Sequence, residues 1–515
     1  MRTGSVVFAL VSLGLLSRAV LAEYPVISTI ALSGPGHAWS GQPAFDAGSE
    51  TPFGASLSYP FAWPVLDQHN NVFFYGAHTD GSIDLYGLVG GVATKIDGAG
   101  TFPPSAPIAA SGGYVAYSYQ VGADQSIRAG TLSGGVTEIA QIGGGGAQFS
   151  SFYSPPLLSS SGTVVFTATD NSSNLGLYVH SLNPGGTTTL VASPTTDFIV
   201  GGQPADSPGL MTVNSHNVIL VQAQGAGGSG IWQVNPSGGP GNVIHAVATT
   251  DTLLDGGTNQ FSSFSNPTAL FGSTASINNA GKLAFWASTA NGYEGIWSAQ
   301  SSNPSALTLV AQSAAPTGTQ FDGFGTPEVN AKGDIVFSAQ LTHGAGVDGS
   351  NDEGLWKSTG AGLVRVVSEG DALTGSLSGF TLGNSGSPEF GSYAANSLGE
   401  IAFMANLLNA GDPSQDGEAL LVWDSVTGLR LVARVGGLLN NDPNRLVMDL
   451  SLPLPSGGQD GFYPVFNDNN VLAFLATTQD IHGNISSGVY LASVPEAGTL
   501  GLLALGAMGL LRRRK

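Results

Sequence analysis

The feature that most constrains the fold is a short motif that returns eight times along the chain. Its clearest copies read NNAGKLAFWA (Asn278–Ala287), NAKGDIVFSA (Asn330–Ala339) and NSLGEIAFMA (Asn396–Ala405). A chain that repeats one supersecondary unit stacks or circles its copies, because a single copy cannot bury its apolar face alone. Aligned on the fourth residue of the motif, the copies place a glycine or an asparagine at Asn70, Gly113, Gly162, Asn217, Gly281, Gly333, Gly399 and Asn470.

Each copy predicts a turn between two strands. Asparagine at the first position and glycine at the fourth favour a type I turn. Leu283 and Phe285 then alternate with Ala284 and Trp286, which is the period of a β-strand. A polar loop, a Gly-aliphatic-aromatic triplet and an aliphatic run complete four short antiparallel strands. The sequence therefore predicts an all-β fold, a β-propeller of eight four-stranded blades, with seven blades as the alternative.

The last copy lacks its fourth strand, because the chain runs from GVYLASV (Gly488–Val494) directly into its C-terminal tail. The segment VISTIALSG (Val26–Gly34) has the alternation of that missing strand. We therefore predict that Val26–Leu32 pairs as the outer strand of the blade that contains Val471–Ala476 and Gly488–Val494. This N-terminal strand would close the ring, since an open ring leaves two exposed sheet edges.

Both ends of the chain carry targeting features. Arg2, the apolar stretch Val6–Leu16 and Val20-Leu21-Ala22 form a secretory signal peptide over residues 1–22. This leaves residues 23–494 for the propeller and 495–515 for a C-terminal signal. The net charge is −20, and four of the 15 Lys and Arg residues are the last four of the chain. Nucleic acid is therefore excluded as a partner, because phosphate binding needs clustered cations. The absence of cysteine excludes disulfides and thiolate metal sites.

The C-terminal signal has three parts in order. Val494, Pro495 and Glu496 precede the uncharged stretch Ala497–Leu511, and the chain ends in cations. A helix of that stretch is about 22 Å long, shorter than a hydrocarbon core of about 30 Å. The positive-inside rule keeps the closing cations cytoplasmic. The cations are Arg512, Arg513, Arg514 and Lys515.

This order strongly resembles the PEP-CTERM sorting tail of bacteria that carry exosortases. The resemblance implies export to the bacterial cell surface or extracellular matrix, processing by an exosortase-like enzyme, and transient membrane insertion through a short transmembrane helix. Whether the tail is cleaved or kept as an anchor stays open. The internal copies resemble the tandem NxxGxxxAF-type repeats of bacterial surface proteins, which imply no known catalytic activity.

Two loops alternate Asp and Ser in a way that fits a calcium site. They are Asp348-x-Ser350-x-Asp352 and Asp412-x-Ser414-x-Asp416. Oxygen ligands two residues apart with a nearby glycine can wrap Ca²⁺, which is the one cofactor that the sequence suggests. The same residues are also common turn formers, so the second interpretation is ordinary loop structure.

Aromatic residues recur at one position of the motif, and we predict that they pack between neighbouring blades. They are Tyr86, Tyr178, Trp232, Trp297, Trp356, Trp423 and Tyr490. Trp39, Trp63 and Trp286 fall outside that register and are candidates for ligand contact. Glu328 and Glu389 each follow a proline. We expect both to be solvated, although paired carboxylates near a propeller axis could act as acid and base.

The sequence favours binding over catalysis, because it has no HExxH motif and no GxSxG in a strand–elbow–helix context. We expect an exported β-propeller with a binding or structural role, with extracellular polysaccharide as a possible ligand. One alternative is a carbohydrate-active propeller enzyme, either a lyase or a hydrolase. Another is a Ca²⁺-dependent adhesive module.

Overall fold

The computed structural model describes much of the chain between residues 25 and 494. The described ranges are 25–32, 64–77, 83–89, 92–100, 108–133, 135–143, 146–236, 243–254, 257, 259–264, 275–313, 321–344, 346–383, 390, 392–452 and 465–494. The predicted signals at residues 1–22 and 495–515 lie outside these ranges. Strands dominate the described part, whose helices are α1 (Pro194–Asp197) and the 3₁₀ turns Gly375–Leu377, Pro413–Gln415 and Leu439–Asn441.

We number as units 1 to 8 the strands that surround the eight motif turns, with β1 (Val26–Leu32) before them. Units 1 to 4 comprise β2 (Val65–Leu66), β3 (Val72–Ala77), β4 (Ile83–Val89) and β5 (Val92–Gly100); β6 (Ala109–Ser111), β7 (Tyr114–Val121), β8 (Asp124–Thr131) and β9 (Val136–Ile142); β10 (Phe149–Phe152), β11 (Leu157–Leu158), β12 (Thr163–Asp170), β13 (Leu175–Ser181) and β14 (Thr188–Ala192); and β15 (Ile199–Val200), β16 (Gln203–Pro204), β17 (Ser207–Val213), β18 (Ile219–Gly225), β19 (Gly228–Asn235) and β20 (Val243–Thr249).

Units 5 to 8 follow the same plan. They comprise β21 (Leu253–Leu254), β22 (Asn259–Ser263), β23 (Ala275–Ile277), β24 (Lys282–Thr289), β25 (Glu294–Gln300) and β26 (Asn303–Gln312); β27 (Phe321–Phe324), β28 (Glu328–Val329), β29 (Ile335–Leu341), β30 (Glu353–Thr359) and β31 (Gly362–Ser368); β32 (Phe380–Gly383), β33 (Tyr393–Ala395), β34 (Ile401–Asn409), β35 (Gly417–Asp424) and β36 (Gly428–Arg434); and β37 (Leu446–Ser451), β38 (Val471–Gln479) and β39 (Ile485–Ser493).

Each of units 1 to 7 is built on an antiparallel sheet whose strands follow chain order, and in unit 4 β15 and β16 form a separate two-stranded sheet. Unit 1 runs β2-β3-β4-β5, and unit 4 runs β17-β18-β19-β20. In units 5 to 7 the first strand is in two pieces that pair with the same second strand, as β27 and β28 both do with β29. A single parallel contact between β9 and β10 joins units 2 and 3. Four strand positions per unit is the number that the sequence predicts.

The N-terminal strand belongs to the sheet of the last unit. Strand β1 pairs antiparallel with β39, from Val26 opposite Ser493 to Leu32 opposite Gly488, and the sheet order is β1-β39-β38-β37. The predicted pairing of Val26–Leu32 is therefore confirmed. One apolar cluster also joins unit 1 to unit 8, because Phe74 and Tyr86 pack with Ala473 and Val489.

The recurring aromatic residues lie in the core between units. Trp297 stacks on Phe285 of its own unit at 6.3 Å between ring centroids, and it shares a cluster with Leu220 and Ile231 of unit 4. The stacked pair recurs in units 1, 3 and 8. The pairs are Phe74–Tyr86, Phe166–Tyr178 and Phe474–Tyr490. We predict from the sequence that these aromatic residues pack between neighbouring units. The clusters of the described residues confirm that prediction.

Candidate functional site

The eight motif turns form the first candidate site, and their geometry explains the motif. In unit 5, Gly281 donates its N–H to the carbonyl of Asn278, and the Oδ1 atom of Asn278 accepts the N–H of Lys282 at 2.9 Å. The fourth turn residue has a left-handed backbone, which glycine adopts freely and asparagine tolerates. All eight aligned positions have positive φ, from 57° at Asn470 to 85° at Gly399. In seven units the N–H of the fourth residue donates to the carbonyl of the first, so the predicted turn is confirmed there. Unit 2 differs, because Gly112 and Gly113 both have positive φ and join Ser111 to Tyr114 in a two-residue hairpin turn.

The turn asparagines also link one unit to the next. The Nδ2 atom of Asn214 donates to the carbonyl of Asn278 at 3.0 Å, and the Nδ2 atom of Asn278 donates to the carbonyl of Asn330 at 2.8 Å. The Nδ2 atom of Asn467 in unit 8 donates to the carbonyl of Asp67 in unit 1 at 3.0 Å. These asparagine side chains are buried, so each bond forms away from water.

Other neighbouring turns touch in different ways. Asp67 accepts the N–H of Gly113, Ser159 donates its hydroxyl to Asn217, Lys332 donates to the carbonyl of Leu398, and Asp468 accepts the N–H of Ser397. Between units 2 and 3, a Cβ atom built on Gly112 would lie 3.4 Å from the carbonyl oxygen of Ser160. We call the surface formed by residues 67–70, 110–113, 159–162, 214–217, 278–281, 330–333, 396–399 and 467–470 the turn face.

A buried ionic group lies beside the turn of unit 7. The Nη2 atom of Arg430 lies 3.1 Å from Glu400 Oε1 and 3.0 Å from Asp424 Oδ2, and all three side chains are more than nine-tenths buried. Burial raises the pKa of Glu400, while the charge of Arg430 acts in the opposite direction. Removing Arg430 would leave the two buried carboxyl groups without their cation, a change that costs about 3–5 kcal/mol. The group therefore lies inside the unit, where it orients the turn of Glu400 against β35 and β36.

The opposite surface, which we call the far face, consists of loops between second and third strands, such as residues 171–174, 342–344 with 346–352, 410–416 and 480–484. In unit 6 the Nε2 atom of His343 lies 2.6 Å from Asp352 Oδ2, which also accepts Gln340 Nε2 at 2.8 Å. Burial opposes ionisation of Asp352, yet hydrogen bonds from Gln340 and His343 outweigh it and lower its pKa. The His343 side chain is 60% exposed, so its imidazole is accessible from solvent.

The predicted calcium loops use their oxygen atoms internally. Asp348 Oδ1 accepts the hydroxyl of Ser350, Asp412 Oδ1 accepts the hydroxyl of Ser414, and Asp416 Oδ1 accepts the N–H of Asn409. Asp352 points to His343 rather than to Asp348 Oδ1. In the described ranges no group of three or more His, Asp or Glu is arranged to hold a metal ion. Calcium binding stays a prediction, and the geometry favours the turn-forming interpretation.

The structure buries two residues, Trp286 and Glu328, that the sequence analysis expects to be accessible. Trp286 is 2% exposed and packs with Ile296 and Phe321, so the prediction that it contacts a ligand is wrong. Unit 6 covers the face of β24 that carries Trp286. Glu328 is 6% exposed and accepts the N–H of Ala395 from unit 7 at 3.0 Å, so the prediction that it is solvated is wrong too. Trp39, Trp63 and Glu389 lie outside the described residues.

The links between turns are the feature that sequence reasoning missed. A type I turn accepts Asp, Asn or Ser at its first position, and an amide or a hydroxyl, unlike a carboxylate, can both accept the bond within the turn and donate one to a neighbour. The motif has Asn at five of its eight first positions: Asn214, Asn278, Asn330, Asn396 and Asn467. That preference for the amide over the carboxylate was the available signal.

Comparison with protein families gives two matches. Residues 493–515 match the PEP-CTERM protein-sorting motif, and residues 40–500 match a family of unknown function (DUF7453). The first match confirms the predicted tail, which implies an exported protein and processing by exosortase-type machinery. No curated protein matches the chain. Within the described ranges, no helix has the length and apolar character needed to cross a membrane.

Several solved structures resemble the chain at low identity. A puromycin-hydrolysing peptidase of Mycobacterium tuberculosis is 10% identical with a TM-score of 0.40, and the match covers 82% of this chain and 58% of the peptidase. TolB from Acinetobacter baumannii is 12% identical with a TM-score of 0.30, covering 72% and 76%. The Aleuria aurantia lectin, a six-bladed β-propeller that recognises fucose, is 14% identical with a TM-score of 0.27, covering 65% and 97%. The chain thus spans little more than half of the peptidase.

Proposed function

The chain belongs to the family of unknown function DUF7453, and we propose that it is an exported, closed β-propeller of eight blades with a binding or structural role at the bacterial cell surface or in the extracellular matrix. The sorting motif at residues 493–515 supports export. In this proposal each tandem unit is one blade. The N-terminal signal peptide directs the first step of export.

One observation carries the closed ring: β1, the first strand of the described residues, lies in the sheet of the last unit. Val26 is opposite Ser493 in that sheet, and Asn467 of unit 8 donates to Asp67 of unit 1. Each unit also touches the next at the turn face, from Gly113 bonded to Asp67 onward. Eight left-handed turns support eight blades over seven. A closed ring covers the apolar faces of the first and last sheets against each other and leaves only short strand edges.

We propose extracellular polysaccharide as the ligand and the far face as the surface that binds it. The far-face loops expose hydroxyl, amide and carboxylate groups, of which Asn171, Ser172 and Asn174 are examples. Such groups hydrogen-bond to sugar hydroxyls and need no concentrated positive charge. The pair of His343 and Asp352 favours a second candidate, a carbohydrate-active enzyme, because an exposed imidazole oriented by a buried carboxylate can act as a general base.

One incubation distinguishes the two candidates. The purified chain is mixed with extracellular polysaccharide from its own bacterium, and co-sedimentation and new reducing ends are measured together. Co-sedimentation without new reducing ends is the expected result. New ends that disappear in His343→Ala, but persist in the matched far-face variant His482→Ala, would establish the enzyme instead. If neither binding nor cleavage is observed, polysaccharide is ruled out as the ligand, and a structural role remains.

A further inference from the structure

Both ends of the described chain leave the last unit at the turn face. In other units the third strand returns to this face, where Leu182 donates its N–H to Gly162 and Ser301 donates its N–H to Gly281. Val494 follows the same rule in unit 8, since its N–H donates to the carbonyl of Asn470 at 2.8 Å. Strand β1 begins beside this point, because Val26 is opposite Ser493. The C-terminal tail therefore leaves unit 8 at the point where the other units have the hairpin between their third and fourth strands.

The sorting motif follows the fold without a spacer. It occupies residues 493–515, so its first residue is also the last residue of β39. Val494 is 3% exposed and belongs to the apolar cluster of units 7 and 8. Two fully extended residues span about 7 Å at most. A tail that enters a membrane shortly after Val494 therefore brings the turn face close to that membrane.

The turn face near this exit has the chemistry of a membrane surface contact. Three apolar side chains are exposed on the turn face or beside it at the same end of the sheets: Val26 is 66% exposed, Leu398 41% and Val426 75%. Val426 lies in the hairpin between β35 and β36, and Leu398 lies in the turn of unit 7, which bonds to unit 8. The exposed Lys332 donates to the carbonyl of Leu398 at 2.6 Å. Apolar side chains next to a lysine suit the boundary between lipid head groups and acyl chains.

We propose that the turn face lies against the lipid bilayer while the tail is attached, with Leu398 and Val426 at the lipid surface. The far face, with its exposed loops, then points away from the membrane. This orientation rests on the proposed function together with the membrane insertion of the tail that the sequence analysis expects. It assigns opposite roles to the two faces of the ring: one docks on lipid and the other is open to ligands.

Single-cysteine labelling tests this orientation, because the chain contains no cysteine. The full chain is reconstituted in vesicles of phosphatidylethanolamine and phosphatidylglycerol, some of which contain nitroxide-labelled lipid. Leu398→Cys and Val426→Cys place a fluorophore on the turn face. Ile481→Cys and Ser172→Cys are the matched far-face variants, and Ile481 is itself an apolar residue 67% exposed in the tail-bearing unit. Equal melting temperatures confirm that each variant is folded.

We expect the nitroxide lipid to quench both turn-face fluorophores several-fold more than both far-face fluorophores. Quenching that is equal on the two faces, stronger on the far face or absent from both would overturn the orientation. Flotation of the vesicles separates this result from the proposed function. Chain that floats without a difference between faces refutes the orientation alone. Chain that does not float with the vesicles refutes membrane insertion of the tail, and the orientation with it.

Discussion

Replacing Ile27 with alanine measures how much the closing strand contributes to the stability of the whole ring. Ile27 is 7% exposed and packs with Ala402 and Leu420 of unit 7 and with residues of unit 8. The change removes three carbon atoms, each worth about 0.8 kcal/mol of burial, and leaves a cavity. We therefore expect a loss of about 3 kcal/mol, within the roughly 2–5 kcal/mol that isoleucine-to-alanine changes cost in cores.

Thermal unfolding converts this loss into a measurable shift. At about 2.1 cal/mol/K per residue, roughly 470 residues unfolding together have an entropy of about 1 kcal/mol/K, so Ile27→Ala should lower Tm by about 3 °C. Val26→Ala is the matched control, because Val26 lies in the same strand and is 66% exposed; its effect should stay within about 0.5 kcal/mol. Equal shifts for the two variants, or none for Ile27→Ala, would refute the packing of β1 in solution.

Three further predictions concern the turns, the far-face loops and the tail. Gly281→Ala should lower Tm more than Gly292→Ala, because both glycines have positive φ but only a Cβ on Gly281 would meet Ser301, whose hydroxyl must rotate away and whose Cβ would lie 3.3 Å from it. Hydrogen bonds from neighbouring side chains lower the pKa of Asp412, so its stabilisation is present above about pH 4 and is lost as the pH falls through the lowered pKa; Asp412→Asn should flatten Tm against pH there. Neutral residues at 512–515 should impair tail processing in the native host; mass spectrometry showing an uncut tail even with the cations present would remove the sorting hypothesis.

The turns and the closing strand could be predicted because their signals are local. A left-handed residue such as Gly281 needs glycine or asparagine wherever the rest of the chain lies. The alternation of Val26–Leu32 identifies a strand in the same way, and the missing fourth strand of the last copy identifies its place. Neither inference requires knowledge of which side chain meets which across a unit boundary.

The contacts between units could not be predicted from one sequence. Alternation shows which residues share a face of a strand, but the second strands have both faces covered, as the buried run Leu283–Ala287 of β24 illustrates. Trp286 therefore became core although it lies outside the aromatic register. Glu328 was misjudged for a similar reason, since the backbone N–H that it accepts comes from Ala395, 67 residues away in the next unit.

Pairing of the first and last strands is the central claim, and a disulfide tests it most directly. Val26→Cys and Ser493→Cys place two thiols on directly opposite residues of β1 and β39 in a chain without other cysteines. Opposite antiparallel residues lie about 4.5–5.5 Å apart between Cα atoms, which a disulfide spans. Val26→Cys with Ile485→Cys is the control, because Ile485 lies at the other end of β39, roughly 26 Å away at about 3.3 Å per residue. We predict that mild oxidation closes the first pair almost completely in the folded protein and leaves the control pair reduced; a first pair that oxidises no better than the control would contradict the closed ring.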